Sequence, residues 1–294
     1  MVDRSDVEAA AARVEGRVRE TPVIAVDGAD LGVPGQLSLK LELHQHTGSF
    51  KPRGAFNRML QGSLPSAGVI AASGGNHGLA VAYAARSLGV PAEVFVPVTA
   101  SPVKVQRLAG LGAQVRQVGQ HYAEALAASS QRAAETGALV VHAYDQPEVV
   151  AGQGTVGREL ERQVDGIDTV LVAVGGGGLV SGIASWFNGS VRVVAVEPEQ
   201  IPTLHSALKA AGRSTSRWAA SPPTRWVPDA SARSPSTPPA GRKWSPCWSG
   251  TRTWCGPAGC SGRSCGSPPS WVARPRWPRW SVARTCRSRG SGWR

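Results

Sequence analysis

Along the first two-thirds of the chain, short apolar runs alternate with longer segments whose apolar residues recur every three or four positions, the pattern of strands followed by helices. Ser5-Asp6-Val7-Glu8 reads as a capping box, with the Ser hydroxyl and the Glu carboxylate taking free N–H groups, and predicts an Ala-rich helix to about Arg19. Leu37 to Leu43 alternates like a strand, and after a polar, Gly-containing loop a helix is expected from about Pro52. Val69 to Ala72 and His77 to Leu88 form the next strand and helix. Ala92 to Val96 leads to a helix opened by Ser101-Pro102 as cap and first turn. Ala113 to Val118, Tyr122 to Glu135, Ala138 to His142, Val149 to Gln163, Thr169 to Val174, Leu179 to Phe187 and Val191 to Val196 continue the alternation. This order predicts an α/β fold, a mostly parallel sheet covered by helices on both faces.

The pattern stops near Arg213. Beyond it Arg, Pro, Ser, Trp and Cys follow one another without period, and all five cysteines and every tryptophan except Trp186 lie there. The net charge of +12 divides unequally, because the tail holds fifteen basic residues against the single acid Asp229, leaving the body near −2. The body thus offers no electrostatic reason to expect nucleic acid or an anionic membrane as partner. With no apolar leader or long apolar span, the expectation is a cytoplasmic protein.

In an α/β sheet, ligands collect where strand ends meet helix N-termini, and three features fall at such places. Thr47-Gly48-Ser49-Phe50-Lys51-Pro52-Arg53-Gly54-Ala55 puts a lysine at a helix mouth after a Gly-containing turn. A lysine held against a ring and beside other cations loses its proton more easily, as Schiff-base chemistry with an aldehyde requires; a solvated surface lysine is the rival reading. In Ser73-Gly74-Gly75-Asn76-His77-Gly78 two glycines let the backbone approach a ligand, and the helix start offers N–H groups to a carboxylate. Asn76 can hydrogen-bond a phenolic or hydroxyl oxygen, and His77 reads as a helix-start residue rather than a base; a tight structural turn is the alternative. Gly175-Gly176-Gly177-Gly178-Leu179 makes a nest of N–H donors suited to a phosphate dianion. It lacks the Lys-Ser/Thr ending of a nucleotide loop and the spacing of a dinucleotide fingerprint, so the phosphate of a cofactor is expected. His44, His46 and His121 stand without a clustered carboxylate pattern, and no metal site is expected.

Lysine, Asn loop and tetraglycine loop, in this order and each at a strand-to-helix junction, give a chain that resembles the pyridoxal-phosphate enzymes of the tryptophan-synthase-beta type, and among them the serine/threonine dehydratases. The resemblance runs from about Arg4 to Gly212. It implies two three-layer α/β domains with mostly parallel sheets: residues 1–49 and 143–212 as an incomplete large cofactor domain, and 50–142 as a small one. It also implies pyridoxal 5'-phosphate as cofactor, with Lys51 as Schiff-base lysine and α-proton base, Phe50 against the ring and Asn76 on the 3′-oxygen. Gly175, Gly176, Gly177, Gly178 and Leu179 would hold the phosphate, and the loop of Ser73, Gly74, Gly75, Asn76 and His77 would bind the carboxylate of a small hydroxy amino acid. The implied reaction is β-elimination to a 2-oxo acid and ammonia, with the cofactor as electron sink. Racemases of this type carry a serine where this chain has Gly74, which favours a dehydratase; a 3-hydroxyaspartate dehydratase and an inactive remnant are further alternatives. The family also implies a homo-oligomer. Glu197, at a strand end, is placed near the cofactor by the same resemblance.

Residues 213–294 admit several readings. Basic residues with aromatics could track a single-stranded nucleic acid, the cysteines form no C-x-x-C pair for a metal module, and the composition is that of disorder. None of these explains a break inside an alternating body. A frame change in GC-rich coding sequence does: read one base out of register, Arg217 to Pro228 allows VGGVAADSLGA, Ala230 to Thr237 allows RVGEIAF, and Ser264 to Trp280 allows an Ala-rich helix. One frame change between Gly212 and Ser216 is therefore expected. It would remove the partner of the pyridine nitrogen and leave faces of the body open, giving weak folding and little activity.

Overall fold

The computed structural model describes residues 2–210 and 280–282, so the sequence readings for 213–279 and 283–294 lie outside the described residues. The chain opens with α1 (Arg4–Val14), β1 (Val23–Asp27) and β2 (Gln36–Lys40), an antiparallel hairpin in register Val23 to Lys40. The start of α1 differs from the expected capping box. Asp3 is the cap, accepting from the N–H groups of Ser5 and Asp6, while Asp6 reaches back to the Asp3 N–H. A carboxylate two residues earlier meets those donors first, so Ser5 already lies inside the helix. The helix also ends at Val14 rather than Arg19, before Gly16 in a left-handed turn. β1 was not foreseen, because Val23 to Asp27 lacks strict apolar alternation.

α2 (Lys51–Met59) leads into a four-stranded parallel sheet of β3 (Val69–Ala72), β4 (Ala92–Val96), β5 (Gln114–Gln117) and β6 (Leu139–Val140), in the order β5-β4-β3-β6. Between the strands run α3 (Asn76–Ser87), α4 (Pro102–Gly110) and α5 (Tyr122–Thr136). Central β3 is buried along its length, and its residues sort alternately to two cores. Val69 and Ala71, with Val94 and Val96, pack under α2, α3 and α4; Ile70 and Ala72, with Phe95, pack on α5. This is why the run is continuously apolar: both faces are covered.

α6 (Pro147–Gln163) follows, then β7 (Thr169–Ala173), α7 (Gly178–Phe187), β8 (Arg192–Pro198) and α8 (Thr203–Ala210). β7 and β8 pair in parallel, and β9 (Trp280–Val282) adds antiparallel to β8. Val172 and Val174 pack with Val180 and Ile183 of α7 and with Leu204 and Leu208 of α8. The opposite face leaves Leu171 60% exposed.

Three helices meet almost backbone to backbone. A Cβ on Gly54 of α2 would strike Val149 O at 2.8 Å, one on Gly152 of α6 would strike Arg53 O at 2.5 Å, and one on Gly182 of α7 would lie 2.4 Å from Val150 O. These glycines let α6 serve as the spine that fixes α2 and α7. No helix among the described residues is long and apolar enough to cross a membrane.

Candidate active site

Lys51 opens α2, with Pro52 behind it presetting the helical turn. Its Nζ donates to the Ala143 carbonyl at 2.6 Å and lies 5.1 Å from the centre of the Phe50 ring. No carboxylate among the described residues pairs with it, and burial brings its pKa down to about 8. The amine is thus held in a place where losing its proton is easier than in water.

Two residues on, Arg53 is fully buried yet answered by charge. Its Nε and Nη2 donate to the Glu42 carboxylate at 2.9 and 2.7 Å, and Nη2 also donates to Glu159 at 2.9 Å. Thr155 and the Arg19 carbonyl take further donors, while Lys40 sits as second cation on Glu159. Burial works against the guanidinium, but its bonds to Glu42 and Glu159 carry its pKa above the ordinary value. Burial pushes Glu159 up, and Arg53 outweighs this, so its carboxyl is held low. Two cations and two carboxylates close the group electrically and tie the start of α2 to β2 and α6.

The Ser73–Gly78 loop follows β3. Ser73 Oγ accepts from the Gly75 N–H at 3.2 Å, and Gly78 must lack a side chain because a Cβ would sit 2.0 Å from Ser73 O. A Cβ on Gly74 would meet nothing nearer than Val96 Cγ1 at 3.5 Å. α3 begins at Asn76 without a side-chain cap, so the N–H groups of Asn76, His77 and Gly78 have no acceptor among the described residues. Asn76 is exposed; His77 is buried, its Nε2 bonded to Val141 O at 2.8 Å. Burial, aided by the charge of Lys51, pushes His77 down to about 3, so the ring is neutral and the carbonyl assigns the proton to Nε2.

The tetraglycine loop opens α7. Gly177 has φ +90°, and no group among the described residues accepts from the N–H groups of Gly175 through Leu179. Gly175 is exposed with open space where a side chain would be, whereas a Cβ on Gly176 would lie 2.2 Å from Tyr144 Cδ1 and one on Gly178 3.0 Å from Tyr144 Cβ. The four glycines therefore have different reasons: open approach at Gly175, a left-handed turn at Gly177, the Tyr144 ring at Gly176, and the Tyr144 backbone and Cβ at Gly178.

The strand expected over Ala138 to His142 is reduced to Leu139–Val140, and the segment that follows it, to which the sequence reading gave no role, connects these places. Val141 O receives His77, Ala143 O receives Lys51, and Tyr144 lies on the glycines. The segment is itself tied, with His142 Nδ1 accepting from the N–H groups of Tyr144 and Asp145 at 3.3 and 2.9 Å, and Gln146 accepting from the His142 N–H at 2.8 Å. Its signal in sequence was weak: an aromatic between His142 and Asp145 where polar loop residues are the rule.

Glu197 has a local task. It accepts from the N–H groups of Leu204 and His205 at 2.6 and 3.1 Å, capping α8, and Thr203 Oγ1 stands 2.8 Å from both Glu197 and the Gly175 carbonyl. His46 stacks on Tyr83 at 4.7 Å, and Glu124 closes on the His121 N–H at the start of α5.

Comparison with known proteins places this geometry in context. The chain is 42% identical over 206 residues to an L-threonine ammonia-lyase of Geobacter sulfurreducens, a match covering 67% of this chain and 50% of that protein. A threonine deaminase from T.th. superposes with a TM-score of 0.67 at 37% identity, covering 72% of this chain and 70% of that one. Maize serine racemase superposes with a TM-score of 0.68 at 35% identity, covering 72% and 66%. The chain spans half to three-fifths of the length of the curated relatives it matches. The model of the family described as pyridoxal-phosphate dependent enzyme matches residues 14–244, past the change of composition near Arg213. This chain, with its half-buried lysine and its open glycine nest, belongs to the pyridoxal-phosphate dependent enzymes.

Proposed function

We propose that the body of this chain is a pyridoxal 5'-phosphate-dependent dehydratase acting on L-threonine or L-serine. The observation that carries the reading is the juxtaposition made by one segment: the same four residues hold the amine of Lys51, which meets no carboxylate among the described residues, and cover the glycine nest whose N–H groups find no acceptor there. These residues fit the cofactor. Gly175 to Leu179 would hold its phosphate, Lys51 its aldehyde carbon, Phe50 and Asn76 its ring and 3′-oxygen. When bound, the cofactor supplies the electron sink that lets the α-proton leave.

Lys51, with a pKa near 8, has a substantial neutral fraction near neutrality and takes the α-proton. The free N–H groups of Asn76 to Gly78 orient the substrate carboxylate at the start of α3. Loss of the β-hydroxyl as water leaves an enamine, which hydrolyses to the 2-oxo acid and ammonia.

The domain division into 1–49 with 143–212 and 50–142 is supported by strand pairing, since β3 to β6 all lie within 50–142 and β7 and β8 within 143–212. The frame change near Gly212 is supported by the residue order beyond it, where Arg217 to Pro228 allows VGGVAADSLGA when read one base out of register. A cytoplasmic homo-oligomer, without nucleic-acid or membrane partners, completes the reading.

The test compares the 294-residue chain with a gene whose frame is restored between Gly212 and Ser216. Both are expected to take pyridoxal phosphate on Lys51, mapped after borohydride reduction, but only the second is expected to release 2-oxo acid briskly from L-threonine or L-serine. Borohydride labelling spread over surface lysines would sink the reading of the site; resequencing that finds the frame intact would sink the frame change. A racemase is the second reading, favoured by the maize structure. The space beside Gly74 would admit a serine, so sterics do not explain its absence. Accumulation of D-serine instead of pyruvate would decide for the racemase.

A further inference from the structure

The tetraglycine nest has a wall that its own sequence does not supply. The Tyr144 ring lies over Gly176 so closely that a Cβ there would sit 2.2 Å from Cδ1, and the Tyr144 backbone and Cβ stand 3.0 Å from where a Cβ of Gly178 would be, while the side at Gly175 is open to solvent. The ring is held from behind by the His142 ring, edge to face at 4.7 Å and 80°, and the turn bearing it is pinned by His142 Nδ1 on two backbone N–H groups. Two roles are open to such a ring. It could merely fill space between α7 and the end of β6, or it could determine what the nest binds.

We propose that Tyr144 is a specificity-determining residue of the phosphate site, its ring shielding the free N–H groups of the nest from water and leaving the Gly175 side as the mouth through which a phosphate monoester enters. The free donors argue for the second role. A ring serving only as filler would lie on a loop whose N–H groups are satisfied, but those of Gly175 through Leu179 find no acceptor among the described residues. Covering donors with an apolar face lowers the local dielectric, which strengthens each N–H to phosphate bond and does nothing for a ligand that lacks the phosphate. The tyrosine hydroxyl has no part in this, whereas the ring and its placement by His142 do. The inference rests on the cofactor reading above and adds to it the residue that sets discrimination for the phosphate.

Dissociation constants of pyridoxal phosphate and of pyridoxal, measured by calorimetry on the full 294-residue chain, test it through their ratio. Wild type is expected to prefer the phosphate form by about a hundredfold or more. Tyr144→Ala should cut that preference about tenfold and Tyr144→Leu about threefold, while Tyr144→Phe should stay within about twofold. His142→Ala should follow Tyr144→Ala, and His142→Asn, which keeps an acceptor at the same reach, should recover most of the preference. The Leu, Phe and Asn variants remove less volume than alanine does, so the series reads even where an alanine variant unfolds. An unchanged ratio in both Tyr144→Ala and Tyr144→Leu overturns the proposal, as does a tenfold loss in Tyr144→Phe. A wild type that does not prefer the phosphate form overturns the cofactor reading itself.

Discussion

Lys51 and Arg53 stand two residues apart on one helix, both carried out of water, and the fold treats them in opposite ways. Arg53 meets Glu42 and Glu159, with Lys40 balancing the second carboxylate, and its charge is secured. Lys51 receives one carbonyl oxygen and no carboxylate, and its charge is made costly. Burial alone therefore does not tell a structural cation from a chemical one; the neighbours do. A cation buried with its counter-charges fixes an element, and one buried without them is poised to react.

The comparison can be broken most directly at its reactive member. Lys51→Met should lower 2-oxo acid release from the frame-restored protein by at least about a thousandfold, because no other amine among the described residues stands at the helix mouth. The same change should leave the fold more stable at pH 7, by on the order of 1 to 3 kcal/mol, since the pKa near 8 lies below the free value and the penalty on the ammonium is in force below pH 8. Urea melts should show that advantage shrinking as pH rises from 8 toward 10.5. Equal stability at pH 7 and pH 10 would contradict the account of Lys51.

Arg53→Ala should do the reverse, destabilising by about 3 to 5 kcal/mol, because Glu42 and Glu159 would be left buried with a single cation between them. A fall of the unfolding free energy in urea melts by less than about 1 kcal/mol would show the clamp to be ornamental. Gly176→Ala should cost about 1 to 3 kcal/mol, as its methyl group meets the Tyr144 ring. Gly74→Ala should change stability by less than about 0.5 kcal/mol, since only Val96 is near and at ordinary contact distance.

Much of this contrast was legible before folding, but not its sense. Lys51 stood out in the sequence by its place at a helix mouth after a glycine turn, and so did the glycine nest. Arg53 lay in the same motif without a role, because Glu159 is 106 residues away and nothing local announces the pairing. The strap of Val141 to Tyr144, half of it read as strand, was given no role for the same cause: it supplies carbonyl oxygens and one ring to three distant places, and backbone carbonyls leave no trace in composition. Glu197 was noticed at its strand end, and its capping of α8 shows only once that helix start is in place.

Short-range physics, written directly into the residue order, thus set the alternation of strands and helices, the parallel class that continuous apolar runs demand, the glycine turns and the unpaired N–H groups at helix starts. Packing in three dimensions decided which cations are answered, that His77 is locked neutral on Val141, and that Tyr144 walls the nest. Those outcomes depend on which groups share a small volume, and the charge state of a buried group is set by neighbours within a few ångströms, whatever their distance along the chain.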